Sequence, residues 1–555
     1  MSELRRIIVD GHWFFVTLNL FHALQHFRDE REPRTLWADA ICIQQTNPPE
    51  KGRQVQLMGK IYENSLRTLV WLGPDPQGVA IETIDFLKST SWIARALIDR
   101  YGSVTKIPAL DSHDNPVSQD PRKWQLFKDF LDFVWFTRTW VLQEVGIAPD
   151  VTMHWGDAQV RFSDVINVNE FQRHAPHLFE YLPMSWYLHD AFVNLFMWYG
   201  NKDTWREQVV QDIRYQAGVL VPGPNIIDTL IQSCRRNVTD QRDYIYAILG
   251  HPLAVFDGEP IVKADYERHV NDVFMEVSEK LITHLEPSLP LSVAADMGMK
   301  RPRNLNSSQP SWVVRWELGL QTNNLGRSGQ WFYAGGKDVV PIREINRATR
   351  KLHLKGVILD TVKWISDQIP PEQIELNSII ANSNHKAAIQ WLWDALPKES
   401  RYGDEQARRD AFTLCLCSGR YKHTEVAEDD MNFHHKIVAA YEGFIKIVQE
   451  GAANEKLRAD ARDFENDYIW TAKYRRIFST DKGFYGIGPQ LVEHGDVVAV
   501  PEGFMIPYIL RPTGKEGEYK LVGAAYVQGV MRGEAFDAKH ALGLDLGASK
   551  EIVIV

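Results

Sequence analysis

Residues 35–73 constrain the fold more than any other stretch of the chain. Thr35-Leu36-Trp37-Ala38-Asp39-Ala40-Ile41-Cys42-Ile43 is short, mostly apolar and bounded by polar turns, the pattern of a strand buried on both faces. Residues 44–49 form a polar loop, and residues 50–65 set Val55, Met58, Ile61 and Tyr62 on one helical stripe. Residues 66–72 read as a second buried strand, stopped by Gly73-Pro74. Strand, helix and strand in this order predict a βαβ unit, whose right-handed crossover makes the two strands parallel. The N-terminal part is therefore expected to be α/β.

Other local signals surround this unit. Ile7-Ile8-Val9, Asp10-Gly11 and Trp13-Phe14-Phe15-Val16 predict a hairpin, because Asp-Gly supplies the positive φ angles of a tight primed turn. Thr17 is placed to cap a helix striped by Leu20, Phe21, Leu24 and Phe27. Helical segments are expected over 124–134 and 139–145, then a hairpin over 151–155 turning at Gly156-Asp157. Residues 206–249 look largely helical, and residues 384–476 are helical and heavily charged. Beyond Thr480 short β-rich runs sit between Gly-rich turns, which predicts a small, mostly antiparallel β unit.

At 555 residues the chain exceeds one ordinary core, and roughly 150 residues per domain suggests about three or four units. The expected division is an α/β domain over 1–170 and a helical extension over 171–300, then a mixed and helical region over 301–477 and a β-rich unit over 478–555. Lys and Arg number 62 against 72 Asp and Glu, a net charge of −10. Such a surface repels phosphate backbones, so no nucleic-acid partner is expected. Four cysteines (Cys42, Cys234, Cys415, Cys417) are too few for a disulfide framework and read as buried thiols in a reducing compartment. The N-terminus lacks a signal-peptide core, and no apolar run approaches the ~20 residues of a membrane span. A soluble, cytoplasmic protein is expected.

Three blocks then carry a family resemblance. Leu36-Trp37-Ala38-Asp39-Ala40-Ile41-Cys42-Ile43-Gln44-Gln45 is followed by Glu50, Gln54, Met58, Ile61-Tyr62 and Val70-Trp71-Leu72-Gly73. Trp135-Phe136-Thr137-Arg138-Thr139-Trp140-Val141-Leu142-Gln143-Glu144-Val145 forms the second block, and residues 239–250 (TDQRDYIYAILG) the third. Together they closely resemble the fungal heterokaryon-incompatibility (HET) domain family. Pro310-Ser311-Trp312-Val313 and the Gly-rich blocks between 486 and 529 resemble the distal part of long HET proteins. Family members usually begin with a strand like "ALSYVWG" ahead of the hairpin, so the resemblance implies either an N-terminally truncated HET domain or a sheet assembled differently. It also implies a parallel-type sheet with flanking helices, remotely TIR-like, ahead of a helical middle region and a β-rich C-terminal unit.

In function the resemblance implies fungal non-self recognition and programmed cell death signalling, through a protein partner or self-association. An alternative is TIR-like cleavage of NAD, as substrate rather than cofactor, and a third is an inactive, degenerate paralogue. NAD cleavage passes through an oxocarbenium-like centre and needs a carboxylate near the ribose. Glu144 is the first candidate for that carboxylate, with Gln143 beside it as an orienting amide. Its structural alternative is a helix cap or a pairing with Arg138, and that reading is favoured because motif matches without structural context carry a high false-positive risk.

Asp39, set within an apolar run, must find partners or take up a proton, whether its role is structural or catalytic. Gln44 and Gln45 would lie beyond a strand's carboxyl end, where parallel sheets bind ligands. Trp140 would offer aromatic surface, although the 18 tryptophans read first as packing. Arg242-Asp243 reads as a salt-bridged helix face. Asp429, Asp430, His434 and His435 read as a solvated helix face, so no metal is expected. Residues 483–488 are Gly-rich but read as a turn.

Overall fold

The computed structural model describes residues 3–111, 113–179, 226–298, 303–320, 325, 332–337, 343–370, 373–374, 388–421, 425–426, 431–450, 455–536 and 548–555. The chain divides into two compact units, Met1–Val270 and Asn271–Val555.

The first unit opens as the local signals predict. Asp10 and Gly11 both take positive φ, 50° and 78°, and turn β1 (Leu4–Val9) into antiparallel β2 (His12–Thr17). Thr17 accepts the Leu20 backbone N–H and caps α1 (Leu18–Phe27).

The strand expected over 35–43 is absent. Residues 35–38 carry no regular structure, and α2 (Asp39–Cys42) is a single helical turn. Asp39 accepts the Ala40 N–H at 2.8 Å, a local bond that favours a turn over a ladder. Leu36 is 41% exposed, so the apolar content of this run is not spent on a sheet. Cys42 is exposed as well, against expectation, whereas Cys234, Cys415 and Cys417 are buried.

Without that strand, α3 (Pro48–Glu63) is not a crossover. β3 (Thr68–Gly73) pairs in parallel with β4 (Val151–Trp155), and the chain between them runs through α4 (Ala80–Tyr101), α5 (Pro121–Leu131) and α6 (Val141–Gly146). The expected hairpin follows, with β4 turning at Gly156 (φ 54°) into antiparallel β5 (Ala158–Arg161). The sheet is thus three-stranded and mixed, with one parallel pair. Val70, Met153 and Val160 join Leu87 and Ala94 of α4, Phe127 and Phe130 of α5 and Phe171 of α7 (Phe162–His174) in one core. Each of these buried side chains apart from Ala94 stabilises the fold by about 1.5–3 kcal/mol relative to exposure. α8 (Ile226–Cys234), α9 (Asp243–Tyr246) and the short pair β6 (Val255–Phe256) and β7 (Glu259–Pro260) complete this unit. Of the expected helical stretch 206–249, residues 206–225 lie outside the described residues.

The second unit begins with α10 (Val270–His284) and α11 (Ser288–Asp296). Its sheet draws on β8 (Arg343–Asn346) and β9 (Lys351–Ile365), a long strand with no counterpart among the elements expected from the sequence. The charged stretch supplies α12 (Ala388–Ala395), α13 (Glu405–Cys417), α14 (Met431–Glu450) and α15 (Glu455–Ala472), with a small pair β10 (Arg420–Tyr421) and β11 (Glu425–Val426). β12 (Arg476–Thr480), β13 (Tyr485–Gly488), β14 (Val497–Pro501), β15 (Tyr508–Pro512), β16 (Glu518–Ala524), β17 (Tyr526–Val527) and β18 (Lys550–Ile554) follow.

β14, β15, β16, β18 and β9 pair in turn, and β14 pairs back to β9, so these five strands close a ring. Closure removes free sheet edges. Leu359, Val498, Val500, Ile509 and Val522 fill the core. Gly356 sits where β9 pairs both β14 and β18, and a Cβ there would lie 2.6 Å from the Val500 carbonyl oxygen. The residues read as a Gly-rich turn include strand β13. Gly486 is needed there because a Cβ would lie 2.4 Å from the ring of Phe478 across the ladder.

No helix among the described residues is long and apolar enough to cross a membrane. Among the described residues no group of three or more His, Cys, Asp or Glu could hold a metal ion. Asp429 and Asp430 lie outside them, and His435 is exposed.

Candidate functional site

Local bonding sets the frame. Asn47 caps α3 by accepting the Glu50 N–H at 3.2 Å, and the Glu50 carboxylate reaches back past the cap to accept the Gln44 N–H at 3.1 Å, which ties the preceding loop to the helix start. Pro48 and Pro49 occupy the first turn, where no donor is lost. The helix then carries Tyr62 toward Glu144 of α6.

Glu144 lies in the first turn of α6 with its side chain 14% exposed, 3.9 Å from the Arg138 guanidinium. Arg138 therefore does reach Glu144, across the turn at Thr139–Trp140 and the start of α6 that separate them. Burial holds the Glu144 carboxyl above the ordinary carboxylate range; Arg138 pulls it back and Asp39 adds to the rise. Tyr62 is pushed well above the usual phenol range by burial first, then by Glu144 and Asp39. Trp37 meets Tyr62 edge to face with ring centroids 5.7 Å apart. Asp39, Arg138, Glu144 and Tyr62 thus share one electrostatic neighbourhood. Asp39 enters it as an exposed carboxylate, because the buried strand that would have enclosed it does not form.

The other expected residues have different employment. Gln44 and Gln45 are exposed in the loop before α3, with no strand end behind them, and the Gln45 amide donates to the Asp39 carbonyl at 3.0 Å. Gln143 does not orient Glu144. Successive helix residues diverge by about 100°, so its amide turns the other way and is 3% exposed. Among the described residues, neither its Nε2 nor its Oε1 has a hydrogen-bond partner. It lies at a backbone crossing, where a Cβ on Gly59 would stand 2.8 Å from Gly250 Cα and 3.2 Å from Gln143 Nε2.

Trp140 donates its indole N–H to Asp243 at 3.2 Å. Asp243 is buried and also accepts the Tyr266 hydroxyl at 2.6 Å, and burial raises its carboxyl above the usual range. The Lys51 ammonium sits 4.0 Å above the Tyr266 ring. Arg242 pairs with Asp240 at 2.6 Å and donates to the Arg268 carbonyl at 2.7 Å, which is the structural role its motif suggested. The three sequence blocks therefore meet through α3, α6 and α9. Tyr62, Lys51 and Tyr266 are not among the site residues expected from the sequence. Tyr62 had a signal, its place in the first block, whereas Lys51 and Tyr266 had none.

His251, next to Gly250, is 3% exposed, its Nδ1 accepts the Leu253 N–H at 3.1 Å, and burial pushes its pKa down to about 4. As pH falls below about 6.5 the unfolded chain takes up this proton before the folded one does. The stability is fully present above that value and is lost as pH falls toward 4. Glu144 and Asp243, both raised, act with the opposite sign, so the informative comparison is with His251→Asn. Urea midpoints between neutral pH and pH near 4 should show the wild type losing about 2 kcal/mol more than this variant.

A family model for heterokaryon incompatibility protein (HET) matches residues 2–144, and one for the Het-6 β-barrel domain matches residues 412–541. The chain is 23% identical to "Heterokaryon incompatibility protein 6, OR allele" of Neurospora crassa, over 92% of this chain and 83% of that protein. No solved structure matches. With its HET match ending at the Glu144 of the site just described, the chain carries a HET-family region over residues 2–144, and a Het-6 β-barrel region over residues 412–541 in the unit that holds the closed strand ring.

Proposed function

We propose that this protein acts in fungal heterokaryon incompatibility, driving a cell-death response to non-self, and that it does so through protein–protein interaction or self-association. The observation that carries the role is the extent of the likeness to a heterokaryon incompatibility protein, 92% of this chain and 83% of the relative. For the mechanism, the engagement of the expected site residues supports interaction over catalysis. Trp140 is tied to Asp243, Gln45 to the Asp39 backbone, and Gln143 is sealed at a helix crossing.

One observation favours the second reading, TIR-like NAD cleavage with Glu144. Its raised carboxyl stands with Asp39, Arg138 and Tyr62, and perturbed groups of this kind gather at active sites. The two readings separate in one experiment. Nicotinamide release from NAD by the purified chain is measured beside the death of fungal cells on induced expression, for wild type and Glu144→Gln at equal protein levels. The interaction reading expects no release and undiminished killing by the variant. Release by wild type that Glu144→Gln abolishes, together with lost killing, overturns it in favour of the enzyme.

A further inference from the structure

We propose that the outer face of the β1–β2 hairpin is a self-association surface, packing face to face on the same hairpin of a second copy of this chain. This rests on the interaction reading above and names the surface.

The ladder register divides the hairpin side chains between two faces. Arg5, Ile7, Val9, His12, Phe14 and Val16 share one, which turns toward α1, where Val16 is buried. Leu4, Arg6, Ile8, Trp13, Phe15 and Thr17 share the other. On that face Leu4 is 54% exposed, Phe15 60%, and Ile8 and Trp13 65% each. Four side chains of this size leave on the order of 450 Å² of apolar surface in water. That lies within the ~300–600 Å² of the largest patch on a typical monomer, a size that is often functional. β1 and β2 form a sheet of two strands, and an isolated hairpin is at best marginally stable in water. Covering its outer face would therefore stabilise it.

The face is self-complementary. Its rungs pair Leu4 with Thr17, Arg6 with Phe15 and Ile8 with Trp13. A two-fold axis running along the strands sets β1 of one copy over β2 of the other. Ile8 then lies on Trp13 of the second copy, and Arg6 lies on the ring of Phe15 of the second copy, a cation–π contact. Arg6 is the only charge on these rungs and already lies 5.1 Å from the Trp13 ring centroid, so nothing on the face calls for an acidic partner. The two patches bury about 900 Å² of apolar side chain, and the polar rim brings the total to roughly 1,200 Å², the lower end of specific interfaces. An interface of that size gives a dimer that forms as concentration rises.

The test is sedimentation velocity of the full chain over a wide concentration range. Wild type, Trp13→Glu/Phe15→Glu, Arg6→Glu and Arg6→Lys are compared with Trp92→Glu, a control at an equally exposed tryptophan on α4. The wild type should move from 63.8 kDa toward twice that mass. The double variant and Arg6→Glu should weaken association by about tenfold or more, and Arg6→Lys and Trp92→Glu should not. Arg6→Glu leaves the hairpin's apolar residues in place, so it reads the interface even if the double variant fails to fold. Association unchanged in Arg6→Glu and in a folded double variant overturns this surface and leaves the interaction reading standing. A wild type that stays monomeric at every concentration also overturns it, and the killing assay above then decides the interaction reading on its own.

Discussion

Asp296→Ala is expected to destabilise the second unit by about 3–5 kcal/mol, the cost of breaking a buried ion pair by removing one partner. Asp296 closes α11 and its carboxylate accepts from Arg475 Nη2 at 3.2 and 3.1 Å. The side chains are 0% and 2% exposed, so neither charge has water to fall back on. The same carboxylate faces a second buried guanidinium, Arg303, whose pKa burial pushes down to about 10 while Asp296 holds it up. Arg303 also donates to the Val522 carbonyl at 3.1 Å, so the pair lies against the strand ring. Removing the carboxylate strands positive charge in a low-dielectric interior, which costs far more than the net worth of the ion pair. Hydrogen exchange read by peptide should show faster exchange across 288–296, 476–480 and 518–524 while the first unit is unchanged. Asp296→Asn keeps the shape and loses the charge, and should fall between the two. A variant within about 1 kcal/mol of wild type would mean that the guanidiniums are compensated by other groups.

Gly59→Val is expected to destabilise the first unit by about 3 kcal/mol, at the upper end of overpacking costs. Gly52 and Gly59 lie seven residues apart on α3 and so share a face. A Cβ on Gly52 would stand 2.6 Å from the Ala264 carbonyl oxygen, and one on Gly59 would stand 2.8 Å from Gly250 Cα. The obstacles are backbone, which cannot rotate away as a side chain can. The sign is the decisive feature. In an open helix interior glycine to alanine stabilises by about 1 kcal/mol, so Gly59→Ala should destabilise here only because of the crossing. Shifting α3 also moves Tyr62 away from Glu144 and Lys51 away from Tyr266. Urea denaturation should show a lowered midpoint with an unchanged slope, and killing in fungal cells should fall with it. A stabilised Gly59→Ala would show that α3 stands off from residue 250.

The elements foreseen correctly were those specified within a few residues. Asp10-Gly11 turned the hairpin, Thr17 capped α1, and Gly156 turned β4 into β5. The run from Thr35 to Ile43 had the composition of a buried strand, yet became coil and one helical turn. Apolar composition does not supply a ladder partner. The partner of β3 came instead from Val151–Trp155, far along the chain. β9 escaped notice because its burial does not alternate cleanly, with a register shift against β14 between Val498 and Ala499. At the site, Asp39, Arg138 and Glu144 could be named from motif blocks, and they do gather. The engagement of Trp140 by Asp243 and the burial of Gln143 against two glycines could not, because both depend on segments about a hundred residues distant.

By itself the sequence determined the turns, the helix caps, the helical stripes and the kinship of the chain, since each is written in consecutive residues or in the order of short blocks. Tertiary structure alone decided which strands are neighbours, that Asp39 is exposed while Glu144 is enclosed, and which face of the hairpin remains in water. The physical reason is that capping and turn bonds are closed by near neighbours. Desolvation and ladder pairing are completed only when remote parts of the chain arrive.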